Sequence, residues 1–334
     1  MSAATETFEE ARVSPADAAS RFLRDNAWTV GLLVLLVALL AFTRLIQPTY
    51  GPPGIQGLAI AVLPLALATV GQAIVVISGG IDLSLGSIIA FITVVAATLM
   101  KAYPDLSILV VLGILLLGML VGAVNGGLIV FTRVPDIVVT LAMSFVWAGA
   151  ALLVLKTPGG AAADWLKELL KGNVLIEWVP KAAVLLVVIV AVIWIPLRRS
   201  RLGLSFYAIG SNQLAAFRSG VPVGRTKIAS YAFLGLFAAL AALSITANTG
   251  QGSPSVGQYT LQSVAAIVLG GVSLAGGRGG VFGAIVAVII LQLIRADMAF
   301  LNVNSNLATV ANGVILIGVV MFGSLLQIRR ERAR

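Results

Sequence analysis

From about residue 28 onward the chain is a succession of apolar runs, and the polar positions between them are few. Ten apolar segments stand out, at 28–46, 55–77, 83–100, 107–131, 137–155, 182–197, 228–247, 259–272, 281–294 and 307–326. Within them polar residues are too sparse to give a helix a wet face, so each reads as a helix surrounded by apolar material. A run of about 20 such residues crosses the bilayer core. Several of the segments are shorter, and the eighth and ninth are expected to be packed inside the bundle or broken by short turns. The pattern predicts an all-α integral membrane protein, a polytopic bundle of about ten transmembrane helices.

The join between the second and third segments breaks this pattern. Ser78-Gly79-Gly80-Ile81-Asp82-Leu83-Ser84-Leu85-Gly86-Ser87 brings glycines, serines and a carboxylate together. A charge at membrane depth costs roughly 2.5–3.5 kcal/mol on insertion scales, and irregular backbone survives there only against protein or a water-filled cavity. The stretch therefore faces the inside of the bundle, or its mouth. Asp82 reads first as a cap on the helix beginning near Leu83, its carboxylate accepting backbone N–H groups, and second as a direct substrate contact. A second glycine-rich stretch, Val268-Leu269-Gly270-Gly271-Val272-Ser273-Leu274-Ala275-Gly276-Gly277-Arg278-Gly279-Gly280, echoes the first. Laying Gly79–Gly86 over Gly270–Gly277 leaves four identities in eight positions, and internal duplication of this kind marks transporter repeats. Both stretches are expected to turn near the cytoplasmic side, with Ser84 and Ser273 as parts of an inner gate.

Composition agrees: 59% of residues are hydrophobic and 10% charged, against about 25% charged in soluble domains. With the N-terminus in the cytoplasm, alternate loops place 15 of the 22 Lys and Arg residues inside. That bias follows the positive-inside rule and predicts both termini cytoplasmic. The net charge of +9 then needs no nucleic acid to explain it. Acidic residues precede the first apolar run, which is long enough to stay as an anchor rather than be cleaved. The expected organisation is a cytoplasmic tail at 1–27, a membrane domain at 28–327 and a basic tail at 328–334. Within the first tail Ser14-Pro15-Ala16-Asp17 is a helix start. Ala18, Phe22 and Trp28 with Arg21 and Arg24 fit a short interfacial helix, and a solvated tail fits equally.

The chain contains neither histidine nor cysteine, which removes disulfides, the usual metal ligands and most nucleophile–base pairs. No metal site is expected. The glycines around Arg278 lack the Gly-Lys-Ser/Thr of a phosphate loop, so the chain is not expected to hydrolyse ATP or to be an enzyme. In the fourth segment Gly118, Gly122 and Gly126 repeat the spacing of close helix contact, and Asn125 among them needs a partner. Between Thr157 and Pro180, charged and apolar residues alternate at helical spacing up to Gly172-Asn173. This reads as an amphipathic helix on the outer leaflet, or as a docking face for an external protein. After Arg198-Arg199-Ser200-Arg201 comes the one substantial cytoplasmic loop. There Asn212 or Ser211 can cap a short helix and Gly220 can end it.

Gly-Gly-Ile-Asp-Leu-Ser-x-Gly-Ser and the second glycine stretch resemble the two signatures of the permease subunits of bacterial ATP-binding-cassette importers for ribose and related monosaccharides. Residues 207–221, Tyr-Ala-Ile-Gly-Ser-Asn-Gln-Leu-Ala-Ala-Phe-Arg-Ser-Gly-Val, are similar to that family's loop motif. Pro135-Asp136-Ile137-Val138-Val139-Thr140-Leu141 looks like its Pro-x-Phe-Ile-x-Thr-Leu element, with Ile137 in place of Phe. The resemblance implies a type II importer-like bundle in the bacterial inner membrane, surrounded by lipid. It implies a second permease chain, in a homodimer or heterodimer, a cytoplasmic ATPase carrying ATP and Mg, and a periplasmic or surface sugar-binding protein. No cofactor is implied for this chain. Asn212, Gln213, Ala215, Ala216, Arg218, Ser219 and Gly220 would form the helix that engages the ATPase, with Ala215 and Ala216 permitting close approach. The path or gate for a monosaccharide or related polyol would draw on Gln72, Ser78, Asp82, Ser84, Ser87, Asn125, Thr140, Ser144, Asn248, Gln262, Ser263, Ser273 and Asn312. Branched-chain amino acid or nucleoside permeases are the nearest alternative. A self-sufficient ion-coupled carrier is the alternative of another class, distinguished by uptake without an ATPase.

Overall fold

The computed structural model describes residues 27–304 except 175, together with 307, 310, 313, 314, 318 and 321. Among these the chain is helical, and its only β-contacts are isolated bridges between Gly159 and Gly252 and between Asn173 and Pro180. The long helices are α1 (Ala27–Ile46), α2 (Pro52–Ile77), α3 (Leu85–Ala102), α4 (Ser107–Thr132) and α5 (Asp136–Val154). A short external helix, α6 (Asp164–Leu170), precedes a composite span made of α7 (Lys181–Ile189), a π-turn at Val190–Trp194 and α8 (Ile195–Arg199). In that turn Ile195 donates its N–H to Val190, five residues back, next to Pro196, which has no N–H to donate. Then follow α9 (Arg201–Ser211), α10 (Gln213–Arg218), α11 (Val223–Thr249), α12 (Tyr259–Leu269) and α13 (Val281–Phe300).

Eight described helical stretches are long and apolar enough to cross a bilayer. The eighth expected span is not one of them. Its helix, α12, has 11 residues, about 16 Å at the usual rise, roughly half the hydrocarbon thickness. It packs against α2, α3 and α13 inside the bundle, with Ser263, Ala265, Ala266, Ile267 and Leu269 buried. The ninth runs past its expected limit to Phe300. The tenth expected span, the helix start at Ser14 and the two tails lie outside the residues described, apart from Ala27 and isolated positions from 307 to 321.

Two helices form the centre. α2 is buried without a break from Val62 to Ile77, as a helix apolar on nearly every face should be when neighbours cover every side. α11 runs beside it, and α4 lies against α11 through the small-residue face read from the sequence. A Cβ on Gly118 would strike the Gly235 carbonyl, one on Gly235 the Gly118 carbonyl, and one on Gly122 the Tyr231 carbonyl. Backbone therefore touches backbone along this seam, the arrangement that close packing without a hydrophobic driving force requires. The outward faces of α4 and α5, including Leu116, Leu120, Phe131, Phe145 and Leu153, are apolar and exposed, as lipid or a partner helix would demand.

Gly122→Leu should lower stability by about 1–3 kcal/mol, the usual cost of overpacking a tight interface. Gly113→Leu should leave stability nearly unchanged, because nothing lies within 4 Å of a Cβ there. Thermal unfolding midpoints of the two variants in detergent test the pair.

Candidate functional site

The two glycine stretches fold into the same turn. Ser78, Gly79 and Gly80 donate to Ile74, Val76 and Val75 at 3.1, 2.9 and 3.0 Å; Gly270, Gly271 and Val272 donate to Ala266, Val268 and Ile267 at 2.8, 3.0 and 2.9 Å. Each is a helix end closed through a left-handed glycine, Gly79 at φ 82° and Gly271 at φ 83°. The hydrogen bonds pair Gly79 with Gly271, which moves the repeat by one residue from the register that the identities favour. The identity-based alignment set Gly79 over Gly270, because it matched letters, whereas only one glycine of each pair has to be left-handed. In the corrected register Asp82 falls opposite Leu274, so the carboxylate has no counterpart in the second turn.

After Gly79 the chain doubles back into the bundle. Gln72, well before the end of α2, donates from Nε2 to the Asp82 carbonyl at 3.2 Å. Asn125, which reaches Ser84, lies seven residues before the end of α4, so the segment reaches about 10 Å inward from that end. There the fully buried Asp82 accepts at Oδ1 from the Ser84 N–H and from Ser84 Oγ, both at 2.6 Å, just before α3 begins. The Asn125 amide donates to Ser84 Oγ at 2.8 Å and accepts at Oδ1 from Trp147 Nε1 at 3.1 Å. Thr140 accepts from the Leu83 N–H at 3.0 Å, and Thr260 of α12 accepts from the Gly86 N–H at 2.9 Å. Ser78 is joined to Ser230 of α11 at 3.1 Å. Five helices thus meet on the segment that joins α2 to α3.

Six of the path candidates, Gln72, Ser78, Asp82, Ser84, Asn125 and Thr140, gather in this network. The others lie apart from it. Ser144 and Ser263 bond carbonyls of their own helices, Leu141 and Thr260. Asn248 is exposed at the end of α11, and Ser87 and Gln262 are half-buried on α3 and α12. The Ser273 N–H donates to the Arg278 carbonyl within the second glycine stretch. Asn312 lies outside the described residues. Trp147 and Thr260 were missed in the sequence. The spacing of Trp147 from Thr140, two helical turns on one face, was the signal available for the first.

The two glycine stretches also touch each other, with the end of α9 between them. Gly277 donates to the Ile77 carbonyl at 2.9 Å. A Cβ on Gly210 would strike that carbonyl and the Gly277 nitrogen, and one on Gly276 would meet both Gly210 and Gly79. Tyr207, one turn earlier on α9, donates to the Gly279 carbonyl at 2.9 Å. Burial raises its phenol above the ordinary value, with Arg198 nearby offsetting part of the effect, so it stays a donor at neutral pH.

Directly after this contact Asn212 caps α10, its Oδ1 accepting from the Ala215 N–H at 2.9 Å. Gly220, at φ 84°, closes the helix, with Val221 donating back to Ala216. The faces of α10 differ from the sequence reading. Ala216 is buried against its own chain, while Leu214 and Phe217 stand 59% and 66% exposed. Leu214 and Phe217, three residues apart, share an exposed apolar face, a spacing legible in the sequence.

Residues 54–325 match a family described as the permease component of branched-chain amino acid transport systems. Similar proteins include the autoinducer 2 import system permease protein LsrD of Escherichia coli K12 and that of Shigella flexneri. Each is 28% identical over 283 residues, covering 83% of this chain and 83% of the relative. No solved structure matches the chain.

Asn125→Ala removes the partner of both Ser84 and Trp147 and should cost about 1–3 kcal/mol, because the Trp147 N–H loses its acceptor and Ser84 Oγ its donor. Trp147→Phe keeps the ring against Phe91 and should cost about 1 kcal/mol. Since both changes delete one shared bond, the double variant should lose less than the sum, which denaturation of all three would reveal.

Proposed function

Because the chain belongs to the family of permease components of branched-chain amino acid transport systems, we propose that it forms the membrane path of an importer driven by a separate cassette ATPase. It is a transport component, a multi-pass protein of the bacterial inner membrane. In this reading α10 seats its exposed Leu214 and Phe217 in the ATPase, a second permease chain completes the path, and an external binding protein delivers the solute to the opposite end. The observation that carries the reading is the seat of Gly210. A helix placed to be pushed from the cytoplasm ends in backbone contact with both glycine turns, so its displacement cannot leave them where they are. The turns and the polar segment at Asp82–Ser84 then act as the inner gate.

The cargo proposed is a monosaccharide or related polyol, supported by the Gly-Gly-Ile-Asp-Leu-Ser form of the first turn. The path would be weakly polar, since Gln72, Ser84, Asn125 and Thr140 offer neutral hydrogen-bonding groups while the carboxylate of Asp82 is held by Ser84. The relatives' name points toward autoinducer 2, and the family description toward branched-chain amino acids as a second reading. Uptake by the assembled importer from a panel of monosaccharides, polyols, autoinducer 2 and leucine decides among them, and leucine alone being taken up would discard the sugar reading.

Leu214→Asp and Phe217→Asp should abolish ATP hydrolysis stimulated by the binding protein, with the unfolding midpoint of the permease unchanged. Ala216 is unsuitable for the same test, because a carboxylate at that buried position would disturb the permease itself. Normal stimulated hydrolysis in both variants would remove α10 from the ATPase contact. Solute accumulated uphill by the chain alone in liposomes would point instead to an ion-coupled carrier.

A further inference from the structure

α5 is the loosely held member of the bundle. Of its side chains only Thr140 and Ala151 are buried, and its outer face carries exposed Val138, Leu141, Phe145 and Leu153. Its first turn is held by charge. Asp136 Oδ1 receives Lys227 Nζ at 2.7 Å, and Oδ2 receives the Tyr231 hydroxyl at 2.8 Å. The two charged side chains are 14% and 17% exposed. Lys227 and Tyr231 stand one turn apart on α11, the helix that α10 leads into through Gly220-Val221-Pro222.

The same cluster presses on the first glycine turn. A Cβ on Gly80 would lie 2.5 Å from Asp136 Oδ2 and 2.8 Å from the Tyr231 hydroxyl. One turn along α5, Thr140 donates to the Asp136 carbonyl at 2.8 Å and accepts from the Leu83 N–H. The start of α5 is therefore bound on one side to the helix leaving α10 and on the other to the segment that carries Asp82. A shielded ion pair adds little net stability over an apolar pair of the same size, yet losing one partner is costly. That asymmetry suits a connection whose two ends must move together.

We propose that the Asp136–Lys227 pair, braced by Tyr231, is the tie through which displacement of α10 swings the cytoplasmic end of α5 and the gate segment attached to it. Asp136 and Lys227 are positioning residues here, since they act on the path through α5 and Leu83. The proposal rests on the reading of α10 as the ATPase contact.

The test uses the permease assembled with its ATPase and binding protein in liposomes. It measures ATP hydrolysed and solute transported, and the unfolding midpoint of each permease variant. Asp136→Asn and Lys227→Met should keep stimulated hydrolysis but transport about tenfold less solute per ATP, within the range for coupling between sites. The double variant should be no worse than either single one, because both break the same tie. The exchanged pair, Asp136→Lys with Lys227→Asp, should recover part of the ratio, and it keeps the test open if a single variant fails to assemble. An unchanged ratio of transport to hydrolysis in the single variants overturns the tie. So does a loss of transport and hydrolysis in equal proportion with a lowered midpoint, which is what a purely structural pair would give. Leu214→Asp and Phe217→Asp, run alongside, separate the failures. If they hydrolyse ATP normally, the reading of α10 falls and the tie with it. If they lose stimulation while the Asp136 and Lys227 variants transport at full ratio, the tie alone falls.

Discussion

A carboxylate buried among apolar helices demands donors, and at Asp82 they reach one oxygen, Oδ1, while the buried Oδ2 has none. The answer is local first: the chain reverses at Gly79, and the Ser84 N–H and hydroxyl turn back onto Oδ1. It then spreads outward, because Ser84 needs Asn125 and Asn125 needs Trp147. Holding one oxygen of that carboxylate thereby joins α3, α4 and α5 through side chains, which in lipid have little hydrophobic reason to stay together. The chain doubling back after Gly79 leaves a polar join inside the bundle between α2 and α3.

Close backbone contact does the rest of the positioning. Along α4 and α11 the glycines hold two helices against each other as a fixed wall. At Gly210 the same chemistry serves a different purpose, since the α9 end is pinned between two turns rather than along a helix. Side chains there could adapt their rotamers to a push; carbonyl oxygen against Cα has no such freedom. The end of α9 is consequently fixed in position relative to both turns. The repeat adds a directional element, because the first turn carries a carboxylate and the second carries Leu274 in its place.

The periphery is built to other rules. α5 and the outward face of α4 expose large apolar side chains and make few polar contacts beyond α5's first turn and Trp147, a condition stable only against lipid or another apolar surface. On the opposite end α6 buries Leu166 and Leu170 and ties Trp165 to Ser107 at 3.0 Å. It lies fixed on the bundle, with Asp164 and Lys167 turned outward as an exposed pair.

Membrane helices, their approximate limits and the polar break at Ser78–Ser87 were legible from residue order, because hydrocarbon imposes one demand on every residue that enters it. Glycine spacing in the fourth segment announced a close helix contact for the same reason, and Asn212 and Gly220 announced the ends of α10 through local backbone chemistry. What depended on three dimensions was everything carried by partners distant in the chain. Asn125 needs a partner on any reading, yet nothing in its neighbourhood names Trp147. Two residues with opposite charge, Asp136 and Lys227, are separated by 91 positions, and only the approach of the start of α5 to α11 makes them a pair. Ala216 and Phe217 are adjacent in the chain and opposite in exposure, since the packing of α10 on its neighbours decides which side is wet. The register of the repeat likewise waited for backbone hydrogen bonds, because identical letters do not reveal which glycine must turn left-handed.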